Sequence, residues 1–117
     1  MFAQHVQISV GHAHPRVTEA AYRQMCKHGQ ISNYFVHETP ILLAEKLATK
    51  MPAQEQWQCM FTTSGSEAVD FALQVATTYT GKKEIVSLNK SYHGLTGMAA
   101  ALTTNAKSKT HSHNVLY

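Results

Sequence analysis

Helical and strand-like patterns of apolar residues alternate along the first half of this chain. Apolar and polar residues alternate over 6–10, which predicts a short strand. Apolar residues three or four positions apart predict one helix from Pro15 to Gly29 and a second that begins at Pro40 and stops before Pro52. A polar and aromatic connection joins the two helices.

The second half of the chain has a strand, a helix and a strand in that order. The apolar run around Met60 predicts the end of a buried strand, and a helix is predicted over 67–76. A turn at Gly81 leads to a second strand over 84–88. This order forms a βαβ unit, so we expect the strands near Met60 and Val86 to be parallel neighbours.

Two further patterns complete this half. The small apolar residues of 95–102 favour another helix, and 103–113 has no apolar periodicity, which is typical of a frayed tail. One face of the predicted helix 67–76 is expected to be buried and carries Ala68, Phe71, Ala72 and Val75.

Small residues separate the predicted strand near Met60 from its helix. The tripeptide Ser64-Gly65-Ser66 leaves backbone N–H groups uncovered at the helix start, where the helix dipole also favours an anion such as a phosphate. The same tripeptide has a simpler interpretation, because a serine in this place can cap the helix. The motif lacks the lysine of a Walker A loop, so taken alone it leaves both interpretations open.

A second loop follows the next strand and carries Tyr92, His93 and Gly94. In a βαβ unit both loops lie at the carboxyl ends of strands, where open α/β sheets bind their ligands. We therefore expect the aromatic ring and the imidazole to cover a flat heteroaromatic ring whose phosphate rests on the first loop. A phosphosugar or a nucleotide is the alternative ligand for the same helix start.

Five motifs occur along the chain in a specific order and spacing. They are Gly11-His12-Ala13-His14-Pro15, Ser32-Asn33-Tyr34-Phe35, Ala44-Glu45-Lys46-Leu47, Phe61-Thr62-Thr63-Ser64-Gly65-Ser66-Glu67-Ala68 and Tyr92-His93-Gly94. Their order resembles that of the class III aminotransferases, fold-type-I enzymes that use pyridoxal 5′-phosphate. Within that family the chain is most similar to the alanine–glyoxylate aminotransferase 2-like enzymes and the omega-aminotransferases.

The resemblance implies an α/β fold. Residues 40–117 would form an incomplete large domain of the pyridoxal-phosphate-dependent transferase type, with a βαβ unit and a parallel sheet, preceded by an N-terminal segment over 1–39. The family relationship also implies a homodimer that transfers an amino group between an amine or amino acid and a keto acid.

The resemblance assigns the cofactor-binding residues by position. Ser64, Gly65 and Ser66 match the loop that holds the cofactor phosphate. Tyr92 matches the aromatic residue that stacks on the pyridine ring, and His93 beside it is expected to line the same pocket.

A loop of three residues and one further position bear on the substrate. Tyr34, Phe35 and Val36 match a loop that lies near the substrate side chain in this family, often across the dimer interface. Acetylornithine and ornithine aminotransferases carry an arginine directly after the aromatic-His-Gly loop. Leu95 occupies that position here, which disfavours their substrates.

The chain departs from the family where catalysis is concerned. The family's chemistry needs a Schiff-base lysine and an acid paired with the pyridinium nitrogen. No Asp or Glu follows Glu84, and Lys107 and Lys109 lie in the polar tail. We therefore expect no catalytic residue here and an inactive N-terminal fragment. The alternative is a non-catalytic truncated product that only associates with a full-length subunit.

Composition excludes several other classes. The 117 residues carry a formal net charge of +3 with scattered lysines, so no nucleic-acid surface is predicted. No apolar stretch approaches ~18 residues, so no membrane span is expected. Cys26 and Cys59 do not make a disulfide framework. This favours an intracellular compartment, cytoplasmic or mitochondrial, and no targeting segment is apparent.

Histidine pairs raise the question of a metal site. His12 and His14 are two positions apart, as are His111 and His113. No cluster of Cys, Asp or Glu completes either pair, so no metal is predicted.

Overall fold

A computed structural model describes residues 7–32, 34–52, 56–104 and 115–116 of the chain. The chain divides into two compact units, Met1–Lys46 and Leu47–Tyr117. The division into an N-terminal segment over 1–39 and a large domain over 40–117 stays a prediction. None of the described helices is long and apolar enough to cross a membrane.

Helix α1 spans Pro15–Lys27, which confirms the first predicted helix. Its start is capped by His14, whose Nδ1 accepts the N–H of Arg16 at 3.3 Å. Proline at the first helical position has no N–H to leave unsatisfied and has a suitable φ. Helix α2 spans Glu38–Ala48 and begins slightly before the predicted Pro40.

The predicted strand over 6–10 is wrong across its described part. Residues 7–10 form turns, and the N–H of Gly11 donates to the carbonyl of Ile8 at 3.3 Å. Gly11 has a φ of +89°, which turns the backbone away from an extended path. A strand also requires a ladder partner, and no described segment pairs with 7–10.

The second unit contains the remaining elements. Helix α3 spans Gly65–Thr80 and ends at Gly81, whose φ of +68° provides the left-handed cap that glycine favours. Strand β1 (Ile85–Val86), helix α4 (Gly97–Leu102) and strand β2 (Val115–Leu116) follow. The two strands pair in parallel, with Ile85 opposite Val115 and Val86 opposite Leu116. This gives a small parallel β-α-β unit.

The predicted strand near Met60 is wrong, and so is its pairing with Val86. Residues 56–62 have no regular secondary structure, and Met60 is 62% exposed. Among the described residues β1 pairs only with β2, which sequence analysis did not predict. The apolar residues around Met60 are compatible with a strand, but a strand also requires hydrogen bonds to a neighbouring strand.

The core of the second unit lies where α4 packs against α3. Its buried residues are Ser87, Gly94, Ala99, Ala101, Leu102 and Thr103. The half-buried side chains of α3 are Ser66, Val69, Asp70, Leu73 and Thr77. The face predicted to be buried, which carries Phe71 and Val75, is exposed. Helix α4 packs on the more polar face of α3, where Gly97 at its start lies against Asp70.

Candidate functional site

The start of α3 is capped by hydrogen bonds that connect Thr63, Ser64 and Glu67. The Oγ of Ser64 accepts the N–H of Glu67 at 3.2 Å. The Oε2 of Glu67 accepts the hydroxyl of Thr63 at 2.6 Å and its N–H at 2.8 Å. The hydroxyl of Thr63, and secondly its N–H, lower the pKa of Glu67 below its ordinary value. The capping interpretation of this loop is therefore confirmed at Ser64.

Capping leaves two donors at the same helix start. The N–H groups of Gly65 and Ser66 have no hydrogen-bond partner among the described residues. A Cβ placed on Gly65 would meet nothing within 4 Å, so the space above this backbone is open. Two unpaired donors at the positive end of a 16-residue helix suit an anion, so capping and anion binding are compatible here.

The second loop lies directly against the first. Gly94 is buried and has a φ of +144°, and a Cβ on it would lie 2.6 Å from the Oγ of Ser66 and 2.8 Å from its Cα. The N–H of Leu95 donates to the same Oγ at 3.1 Å. The structure therefore joins the two loops that sequence analysis predicted to share a ligand.

Tyr92 and His93 face different surroundings within this loop. Tyr92 is 62% exposed, so its ring surface is accessible to a planar ligand. The Nε2 of His93 lies 3.2 Å from the Oγ of Ser87 and 2.9 Å from the Oγ of Ser91. The half-buried imidazole is thus tied by one nitrogen to two serine hydroxyls of its own unit.

Buried hydroxyls hold the backbone of this loop from behind. The Oγ1 of Thr103 accepts the N–H groups of His93 at 3.0 Å and Gly94 at 3.3 Å. Ser87 is 7% exposed and donates to the carbonyl of Leu102 at 2.9 Å. Sequence analysis missed both hydroxyl residues, because serine and threonine are common and nothing in their spacing predicts these bonds.

Asp70 is a further residue that sequence analysis did not assign to the site. Its Oδ1 accepts the N–H of Ala99 at 2.7 Å, and its Oδ2 accepts the hydroxyl of Thr96 at 2.8 Å. One sequence signal was available, since Asp70 lies four residues after Ser66 and so shares its helix face.

The predicted substrate-side residues lie in the first unit. Tyr34 is 92% exposed, Phe35 71% and Val36 90%. Phe35 and Val36 line an open cleft of about 560 Å³, together with residues such as His28, His37 and Lys27. Tyr34 does not line this cleft.

The described residues contain no group of three or more His, Cys, Asp or Glu side chains that could hold a metal ion. His14 is used as the cap of α1, and His12 is exposed. The pair His111 and His113 lies outside the described residues. Cys26 and Cys59 are not in a disulfide.

Known proteins with similar sequences and structures are aminotransferases. The chain is 37% identical over 102 residues to a probable 4-aminobutyrate aminotransferase of Bacillus subtilis, covering 86% of this chain and 23% of that protein. It is 39% identical over 85 residues to an alanine–glyoxylate aminotransferase 2-like protein of Drosophila melanogaster, covering 73% of this chain and 17% of that protein. A solved transaminase structure with L-alanine superimposes with a TM-score of 0.81 at 33% identity, over 92% of this chain and 28% of that one.

These matches confirm the α/β fold of the transaminases for this partial domain. The chain spans between 17% and 28% of the length of these relatives. The family model described as aminotransferase class-III matches residues 1–117, the whole of the sequence. The chain belongs to the class III aminotransferases.

Proposed function

We propose that this chain forms the cofactor-binding part of an aminotransferase that uses pyridoxal 5′-phosphate. The reaction class is amino-group transfer between an amine or amino acid and a keto acid. The observation that carries the proposal is the contact between Ser66 and Gly94, because it brings the phosphate loop and the aromatic loop together. Membership of the family supports the choice of cofactor.

The residues fit a cofactor that joins a phosphate to a flat ring. The N–H groups of Gly65 and Ser66 would donate to phosphate oxygens. The Oγ of Ser66 accepts a hydrogen bond from the N–H of Leu95. The hydroxyl proton of Ser66 is therefore available to donate to a phosphate oxygen. The exposed ring of Tyr92 would stack on the pyridine ring. When bound, pyridoxal 5′-phosphate supplies an electron sink for cleavage of bonds to the substrate carbon.

His93 has a supporting role in this proposal. Its Nε2 is bonded to Ser87 and Ser91, so the imidazole fixes the loop that presents Tyr92. The remaining edge of the ring would line the cofactor pocket.

The chain's own residues provide binding groups but no catalytic pair. No carboxylate follows Glu84 in the sequence, and Lys107 and Lys109 lie outside the described residues. We therefore propose that the 117-residue chain does not turn over by itself. The alternative is that it only associates with a full-length subunit, and exposed apolar side chains such as Val75 and Met25 are consistent with such a contact.

The substrate side of the proposal concerns the first unit and the partner subunit. Tyr34, Phe35 and Val36 would lie near the substrate side chain, contributed across a homodimer interface. Leu95 takes the place of the arginine that acetylornithine and ornithine aminotransferases carry, so we propose a substrate outside that pair.

The test is a cofactor titration that isolates charge at Ser66. Ser66→Asp places a carboxylate where the dianion would lie, and Ser66→Asn is the control because its side chain has the same size without the charge. The two variants should differ by about 1–4 kcal/mol in binding free energy, depending on how dry the site is. Absorbance of pyridoxal 5′-phosphate reports binding. If the Asp and Asn variants bind equally, the phosphate does not lie at this helix start.

The stacking of Tyr92 on the pyridine ring has a separate test in the same titration. Tyr92→Ala should weaken binding by about 1–3 kcal/mol, the range for stacking of a base on an aromatic side chain. Tyr92→Phe keeps the ring and should bind like the parent chain. Equal affinity of the Ala and Phe variants would remove Tyr92 from the site.

A further inference from the structure

Asp70 joins helix α3 to the segment that follows the aromatic loop. Its two carboxylate oxygens accept separate donors, the N–H of Ala99 and the hydroxyl of Thr96. Gly97 lies against it with a φ of +38°, and a Cβ there would come within 3.0 Å of the Oδ2 of Asp70. The carboxylate therefore caps the start of α4 from a neighbouring helix, and a Cβ at Gly97 would require this carboxylate to shift.

Asp70 acts together with Ser66. The two residues lie four positions apart, about one helical turn, so both acceptors project from one face of α3. Ser66 Oγ accepts the N–H of Leu95, and Asp70 accepts donors at the next turn of the same segment. A rigid helix thus holds the segment 95–99 at two points, and Tyr92 lies just before the first of them.

We propose that Asp70 is a positioning residue that fixes the aromatic loop at a set distance from the phosphate loop, without touching the cofactor. The consequence for the cofactor rests on the proposed function. A ligand whose phosphate and ring are covalently joined gains from both loops only when their separation is fixed in advance. A free phosphate uses the first loop alone and gains nothing from this positioning.

The variants Asp70→Ala and Asp70→Asn test directly, in the 117-residue chain, whether the Asp70 carboxylate holds the segment 95–99. Asp70→Asn keeps an oxygen that can accept the N–H of Ala99, whereas Asp70→Ala removes both acceptors. Gln74→Ala is the matched control, since Gln74 is an exposed residue one turn further along α3. Amide hydrogen exchange measured by NMR at Leu95 and Ala99 is the first readout.

We expect faster exchange at both amides in Asp70→Ala, parent-like exchange in Gln74→Ala, and retained protection of Ala99 in Asp70→Asn. Unchanged protection in Asp70→Ala would overturn the inference, since the segment would then be held without the carboxylate. This readout needs no cofactor and is independent of the proposed function.

The second readout compares the affinities for pyridoxal 5′-phosphate and for inorganic phosphate. Asp70→Ala should weaken binding of the whole cofactor by roughly ten- to a hundredfold, the range typical of a hydrogen bond to a charged group, and leave phosphate affinity unchanged. Equal losses for both ligands would overturn the inference, because Asp70 would then act on the phosphate loop itself. If the parent chain binds the cofactor no better than phosphate, the proposed function fails, and the exchange data still decide the role of Asp70.

Discussion

Replacing Gly94 with alanine should break the contact between the two loops. The new Cβ would lie 2.6 Å from the Oγ of Ser66 and 2.8 Å from both its Cα and its Cβ. A side-chain rotation relieves only the first of these overlaps, because the Cα of Ser66 belongs to the backbone of α3. The φ of +144° adds a second penalty, since residues with a Cβ rarely adopt it.

The expected loss of stability follows from these two effects. A non-glycine residue in a sparsely populated backbone region costs about 1–3 kcal/mol. Forcing an extra carbon into a packed contact costs about 1–3 kcal/mol more. Gly94→Ala should therefore lower the free energy of unfolding of the second unit by about 2–6 kcal/mol, which is a large part of the total for a small domain.

The assay is urea unfolding followed by the fluorescence of Trp57, the single tryptophan, which lies in the same unit as Gly94. Gly65→Ala is the matched control, because a Cβ there meets nothing within 4 Å and the position is already helical. That control should be neutral or stabilise the chain by about 0.4–1 kcal/mol, through the reduced entropy of the unfolded chain. The steric argument is refuted if Gly94→Ala unfolds at the same urea concentration as Gly65→Ala.

Three further predictions concern the helix start and activity. Ser64→Ala removes the cap of α3 and should lower the free energy of unfolding by about 1 kcal/mol, measured by urea titration, with a parent-like midpoint as the contrary result. The pKa of Glu67 is lowered in the folded chain, so its stabilising contribution is complete above the ordinary value of 4.5 and is lost as the pH falls through the folded-state pKa. Glu67→Gln should remove this part of the acid dependence in a circular-dichroism titration, and an unaltered profile would contradict the assignment. The purified chain with added pyridoxal 5′-phosphate should show no keto-acid-dependent amine conversion above the rate of the free cofactor, and any faster conversion would show that it carries its own catalytic lysine.

Local signals in the sequence predicted the helices well. Proline at the start of α1, Ser64 before α3 and Gly81 after it act within one turn of their own position, so a single sequence contains all that is needed. The prediction of a strand near Met60 was wrong, because a strand needs a neighbouring strand to pair with, and the local pattern of residues does not specify one.

The sequence likewise predicted some parts of the candidate site and not others. The motifs indicated both loops, and the ligand they would share stays a prediction, but the contact of Ser66 with Gly94 joins residues far apart in sequence. The hydroxyls of Ser87 and Thr103 are specified only by the backbone groups that surround them after folding. Helix α3 buries its more polar face, because Thr96 and Ala99 donate hydrogen bonds to Asp70 there, and a hydrophobic pattern cannot encode those bonds.

The hydrogen bonds of two serines favour one tautomer of the His93 imidazole. A hydroxyl has one proton, and those of Ser87 and Ser91 are donated to the carbonyls of Leu102 and Leu88. With the protons placed there, both oxygens accept at His93, an arrangement that puts a hydrogen on Nε2 and leaves the lone pair of the neutral ring on Nδ1. A movement of the last turn of α4 at Leu102 would release the proton of Ser87, yet the oxygen of Ser91 would still accept at Nε2, so this orientation of the imidazole rests on two hydroxyls rather than one.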